Sequence, residues 1–251
     1  MASMVEGGHA SVAIVGAGDF IGAAIARRFA AGGYIVHGGR RQGDKLAPLA
    51  AEIAAAGGSF TGHTLDARSE EAIAAFLDAA DASAPLAACI FNVGANVQFP
   101  LLDTTERVFR KVWEMACYAG FLTGREAARR MLVHGRGSIF LTGATASMRG
   151  GKGYAAFAAA KAGLRATAQS MARELAPQNI HVAHLVIDSG VDTAWVRERM
   201  AAARGAEAVA AMPADTLMNP ASIAEAYWQL HHQTRDAWTH ELDLRPYGES
   251  W

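Results

Sequence analysis

The stretch "SVAIVGAGDFIGAAIARRFAAGG" (11–33) constrains the fold more than any other. A β-type apolar run, 11–16, ends directly in a glycine turn, and apolar residues at helical spacing follow over 20–32. Gly16, Gly18 and Gly22 set a GxGxxxG spacing, with Phe20 and Ile21 between the last two. Bare turn positions let a backbone approach a pyrophosphate, and the N–H groups of the following helix meet its charge. A tight turn without a ligand accounts for the same glycines. The strand before and the helix after favour the dinucleotide reading.

The rest of the chain repeats this alternation. Strand-type runs occupy 34–39, 59–66, 87–93, 137–143 and 180–187, and "THELDLRP" (239–246) supplies a last short strand. Helical patterns fill 45–58, 69–82, 104–133, 153–176, 192–210 and 220–231. Ser69 is placed as an N-cap, with acids in the turn after it. Near-continuous apolar strands separated by helices predict an α/β protein with a parallel sheet covered on both faces. A β/α barrel is the rival. The phosphate-type turn after the first strand, and a strand count nearer to about seven, argue against it. Without an internal repeat or linker, residues 1–251 read as a single domain. The segment 190–216 is weakly patterned and rich in alanine.

Composition removes several classes of function. Lys plus Arg number 23 against 24 Asp plus Glu, so a nucleic acid is not the expected partner. Cys89 and Cys117 are too few for a disulfide framework or a structural zinc site, and a cytoplasmic setting is expected. His231, His232 and His240 show no metal-ligand spacing, and no metal is expected. No apolar run reaches the roughly 18 residues of a membrane span, and no signal peptide is read. The stretch "MASMVEGGHA" reads as a frayed terminus, and Trp251 either docks at an interface or frays.

The end of the second strand selects between nicotinamide cofactors. A carboxylate there binds the ribose hydroxyls of NAD, whereas this chain has "HGGRRQ" (37–42). Arg40 and Arg41 suit a 2′-phosphate, so NADP(H) is expected over NAD(H). A solvated basic loop is the plainer account.

With these residues in hand, the chain resembles the short-chain dehydrogenase/reductase family over nearly its full length. The resemblance implies a Rossmann-like, doubly wound parallel sheet of about seven strands in the order 3-2-1-4-5-6-7, with helices on both faces. It implies hydride chemistry on small alcohols or carbonyls, and assembly as a homodimer or homotetramer. Gly16 and Gly22 match the outer glycines of the family's TGxxxGxG turn, while Val15 and Phe20 replace its threonine and middle glycine. Asp66 matches an acid that contacts adenine. Asn92 and Gly94 in "FNVG" match part of an NNAG motif, and Thr193 matches a threonine near the nicotinamide amide. Asp188 and Ser189 stand where the family has Pro-Gly, and 190–216 corresponds to the segment that covers the substrate.

The catalytic positions follow by counting from Lys161. The family's tyrosine falls on Phe157, its serine on Ala144 and its asparagine on Cys117, so Lys161 alone of the four is kept. The lysine's two family roles are to lower the tyrosine pKa and to bind the nicotinamide ribose, and only the second remains. Substitutes are at hand. Tyr154 shares a helix face with Phe157 and Lys161 and is the first choice of donor, equally readable as a pocket-wall or interface tyrosine. Thr145 and Ser147 offer hydroxyls after the fifth strand, or serve the turn. Asp188 reads as a buried acid of raised pKa, or as a cap. Cys117 reads as packing. Two functions stay open: an NADP(H)-dependent oxidoreductase with a non-standard proton donor, and a catalytically silent dinucleotide-binding sensor or assembly protein. The small residues of 153–176, together with 104–133, suggest the faces that join copies of the chain.

Overall fold

In the computed structural model, residues 10–249 are described. The expectations for "MASMVEGGHA" before Ala10 and for Trp251 lie outside them. The elements, in chain order, are β1 (Ser11–Val15), α1 (Ile21–Ala31), β2 (Ile35–Arg40), α2 (Ala47–Ala55), β3 (Ser59–Thr64), α3 (Glu70–Ser83) and β4 (Leu86–Phe91). Then follow α4 (Glu106–Trp113), α5 (Ala119–His134), β5 (Gly137–Thr142), α6 (Ala155–Leu175) and β6 (Ile180–Ile187). The chain continues through α7 (Ala194–Arg204), α8 (Ala206–Ala210), α9 (Pro220–His231) and β7 (Glu241–Leu244).

All seven strands lie parallel in one sheet, in the order β3-β2-β1-β4-β5-β6-β7. The chain winds outward from β1 to β3, then returns beside β1 and winds the other way. Such a reversal opens a crevice at the carboxyl ends of the two central strands. Here Val15 pairs with Phe91 across β1 and β4, and the Asn92 N–H donates to the Val15 carbonyl at 2.8 Å.

Alternation along β1 splits its side chains between two cores. Val12 and Ile14 pack with Ile25 and Phe29 of α1 and with Tyr227 of α9. Ala13 and Val15 pack with Ile73 and Leu77 of α3, Ala119, Ala127 and Met131 of α5, and Leu164 of α6. A period of two on a doubly covered sheet requires this division. β3 departs from the continuous apolar pattern expected of the strands. It is one of the two sheet edges, and its residues are exposed or half-buried.

Two expected helices are subdivided. The region 104–133 contains α4 and α5, joined by a π-helical turn at Glu114–Tyr118. The region 192–210 breaks at Gly205, whose φ of +89° favours glycine. Ser69 caps α3, accepting from the Ala72 N–H at 3.2 Å. Among the described residues, no helix is long and apolar enough to cross a membrane. No group of three or more His, Cys, Asp or Glu side chains among them is placed to hold a metal.

Candidate functional site

A cavity of about 1000 Å³ opens in the crevice at the carboxyl ends of β1 and β4. The turn between β1 and α1 forms one wall, through Gly16, Gly18, Asp19, Phe20, Ile21 and Gly22. Gly16 takes φ +94°, and a Cβ on it would lie 2.6 Å from the Asn92 carbonyl oxygen. The close approach of β1 and β4 therefore demands glycine. Asn92 reinforces it by donating from Nδ2 to the Gly16 carbonyl at 3.1 Å. A Cβ on Gly18 or Gly94 would meet nothing within 4 Å, so both leave the groove bare. Among the described residues no side chain caps α1, whose first turn borders the cavity.

A second cavity, of about 540 Å³, adjoins the first and shares Gly16, Gly18, Asn92, Val93 and Gly94 with it. Arg40, Arg41, Asp66 and Arg68 line it. Arg40 pairs with Asp19 at 2.6 Å, and Asp66 pairs with Arg68 at 2.9 and 2.6 Å. The Arg68 hydrogen bonds hold the Asp66 carboxyl below the usual range. Bare glycines, a helix start and the guanidinium groups of Arg40 and Arg41 suit the backbone and phosphates of a dinucleotide.

The opposite end of the larger cavity collects Ala144, Thr145, Tyr154, Phe157, Lys161 and Thr193. Lys161 is buried, and its Nζ donates to the Thr142 carbonyl at 2.7 Å and the Val93 carbonyl at 3.1 Å. Burial pushes its pKa down to about 8. The Phe157 ring, also buried, has its centroid 6.0 Å from that ammonium. Tyr154 precedes α6, and its hydroxyl lies 3.4 Å from Arg199 Nη2. Thr193 caps α7, accepting from the Val196 N–H at 3.1 Å.

Other expected residues lie elsewhere. Cys117 lies in the π-helical turn, buried with Val112, Ala116, Phe157 and Ala160, and lines neither cavity. Burial raises its thiol pKa, which suits packing. Ser147 is also buried, where it accepts from the Ala144 N–H at 3.1 Å and contacts His184 Nε2 at 3.3 Å. Thr145 is the hydroxyl that reaches the cavity. Asp188 is buried, and its carboxylate carries two cationic partners. Arg149 and Arg245 pair with it at 3.0 and 3.1 Å. His231 bonds Tyr34 and Ser138, and His240 a backbone carbonyl, as structural histidines do.

Sequence reasoning missed Arg149, Trp195, Arg199, Met200 and Arg204, all of which line the larger cavity. A signal existed in the α7 pattern. Residues 195, 199 and 203 recur every four residues and share one helix face.

Residues 10–204 match the short chain dehydrogenase family, and the chain belongs to it. Among curated relatives, a 3-oxoacyl-[acyl-carrier-protein] reductase, MabA, from Mycobacterium bovis is 29% identical over 218 residues, covering 85% of this chain and 82% of that protein. A 1-deoxy-11-beta-hydroxypentalenate dehydrogenase from Streptomyces exfoliatus is 31% identical, covering 86% and 77%. A crystal structure of a short-chain dehydrogenase from Rhodopseudomonas palustris is 59% identical, with a TM-score of 0.81 and coverage of 95% and 99%. A metagenomic short-chain oxidoreductase in complex with NADP is 26% identical, with a TM-score of 0.80 and coverage of 97% and 99%.

Proposed function

We propose that this chain is an NADP(H)-dependent oxidoreductase acting on a carbonyl or alcohol, with a proton donor other than the tyrosine usual in its family. The observation that carries the reading is the single cavity joining the glycine turn to Lys161 and Tyr154. Bound NADP(H) supplies or accepts the hydride. Gly16, Gly18 and the start of α1 hold the pyrophosphate, and Arg40 and Arg41 the 2′-phosphate. Asp66 and Asn92 flank the adenosine half, while Thr193 orients the nicotinamide amide. An ammonium has three N–H donors, and Lys161 gives two to carbonyls, which leaves one for a ribose hydroxyl. The NADP complex of the metagenomic relative supports this choice of cofactor.

Phe157, Ala144 and Cys117 stand at the positions of the family's tyrosine, serine and asparagine; the first two have no acidic proton, and the Cys117 thiol, raised in pKa by burial, lines neither cavity. Tyr154 then donates the proton, and Thr145 holds the substrate oxygen. Segment 190–216 covers the substrate. A second copy of the chain packs on the outer face of α4, α5 and α6, and the protein works as a homodimer or homotetramer in the cytoplasm. One contact favours the silent reading instead: the Tyr154 hydroxyl faces Arg199, while both hydrogen bonds of Lys161 among the described residues go to carbonyls.

Fluorescence titration with NADPH and NADH, followed by assay on a carbonyl panel, tests the proposal. NADPH is expected to bind more tightly, and Tyr154→Phe to lower turnover by about 10²- to 10⁴-fold, the usual contribution of a general acid. If neither dinucleotide binds, both readings fail. If the wild type is inert but Phe157→Tyr with Ala144→Ser turns over, the silent reading replaces the first.

A further inference from the structure

One wall of the larger cavity is formed by α7, inside the segment proposed to cover the substrate. None of the residues of α7 is buried, although Trp195, Arg199, Met200 and Ala203 line the cavity. The outer side of the helix is polar, with Arg197 paired to Asp192. Trp195 is 52% exposed, an apolar surface held over an open space.

The charges around the cavity are unevenly matched. Asp19 is paired with Arg40, and Arg149 with Asp188. Glu249 accepts from the Ser189 hydroxyl. Arg199 has no carboxylate partner among the described residues. Its guanidinium donates to Gln98 Oε1 at 3.0 Å and to the Tyr154 hydroxyl at 3.4 Å, and lies 5.4 Å from the Trp195 ring centroid. Neutral acceptors and an aromatic face orient that cation without neutralising it. Arg204, five residues further along, also lines the cavity and has no carboxylate partner among the described residues.

We infer that the cavity takes a carboxylate-bearing carbonyl compound with an apolar body, and that Arg199 binds its carboxylate. Trp195 and Met200 cover the apolar body, while Arg204 adds to the positive field. The short Arg199–Tyr154 distance sets the carboxylate a few bonds from the reacting oxygen, which fits a 2-oxo or 3-oxo acid. This inference rests on the oxidoreductase reading for the placement of Tyr154. In reduction, the carbonyl carbon gains a hydride from NADPH and its oxygen a proton, yielding a hydroxy acid and NADP⁺.

Calorimetry on protein saturated with NADP⁺, which cannot reduce the ligand, tests it with benzoylformate and methyl benzoylformate. Wild type is expected to bind the acid at least about 10-fold more tightly than the ester, the scale of a charge-assisted hydrogen bond. Arg199→Leu should abolish that preference, Arg199→Lys should keep part of it, and NADPH affinity should stay within about 2-fold in both. Equal binding of the two probes, binding of neither, or a preference that survives Arg199→Leu overturns the inference. The same titration without dinucleotide separates the two claims. If wild type binds no NADPH yet prefers benzoylformate, the anion subsite stands and the oxidoreductase reading falls.

Discussion

Asp19 occupies the glycine turn, and its carboxylate meets Arg40 at 2.6 Å. The guanidinium that selects NADP in this reading is therefore already engaged by an acid. A 2′-phosphate must compete with that acid for Arg40, and the competition is mild because the Asp19 side chain is 67% exposed. Exposed ion pairs contribute about 0.2–1 kcal/mol, which corresponds to at most about 5-fold in affinity. Asp19→Asn is accordingly expected to tighten NADPH by about 2- to 5-fold and leave NADH unchanged. Fluorescence titration at one fixed salt concentration checks this. An equal change for both dinucleotides would remove Arg40 from the 2′-phosphate site. "HGGRRQ" made the arginines visible in the sequence, but not the pairing, which spans 21 residues and depends on where the turn folds back. The partners of Asp188 were hidden for the same reason. Arg149 lies 39 residues before it, and Arg245 on the far side of β7 in the chain.

At the level of elements, strand and helix order were legible because periods of two and 3.6 survive in the apolar pattern. The π-helical turn was not, since one widened turn scarcely alters that pattern. The small residues of α6 were legible, but their use divides between two faces. Ala156, Ala160, Leu164 and Ala168 are buried inside the chain. Leu164 meets α5 where a Cβ on Gly120 would lie 2.3 Å from its Cδ1, so that approach requires glycine. Ala159, Ala162 and Ala166 remain exposed. Nearby on the α4–α5 stretch, Phe109, Trp113 and Phe121 are also exposed, and Tyr118 stacks between Trp113 and Phe121 at 5.9 and 6.4 Å. An aromatic row of this kind, beside a stripe of small residues, fits the interface proposed for a second copy. Trp113→Asp and Phe121→Asp, both surface changes, are expected to halve the mass measured by light scattering, or to reduce it further. A wild type that is monomeric at micromolar concentration would rule this face out.

Across the whole molecule, buried histidines link stability to pH. His37 contacts His63 Nε2 and Ser83 Oγ, each at 3.0 Å. His184 is fully buried beside Ser147, and its Nδ1 stands 3.5 Å from Glu241 without a hydrogen bond. Burial drives the pKa of His37 and of His184 down to about 4, and that of His231 to about 3. Burial also lowers His63 and His181. In the unfolded chain each returns to 6.5. Above that pH neither state gains protons on these groups, so their effect on stability is flat. Below it the unfolded chain binds protons that the folded chain refuses, and stability falls until the folded pKa is reached. By pH 5, His37, His184 and His231 each cost on the order of 1–2 kcal/mol, a sizeable share of a total stability of about 5–15 kcal/mol. The depressed carboxylates, Asp66 beside Arg68 and Glu241 beside Arg165, lose their contribution only below about pH 4.5, so the two windows separate. Urea unfolding followed by circular dichroism should therefore give a midpoint that histidines leave level from pH 8 to 7. It should then drop steeply between pH 6.5 and 5, and His231→Gln should make that drop shallower. A midpoint that stays level down to pH 5 would mean that these side chains take up protons in the folded protein, and that the cores around them admit water.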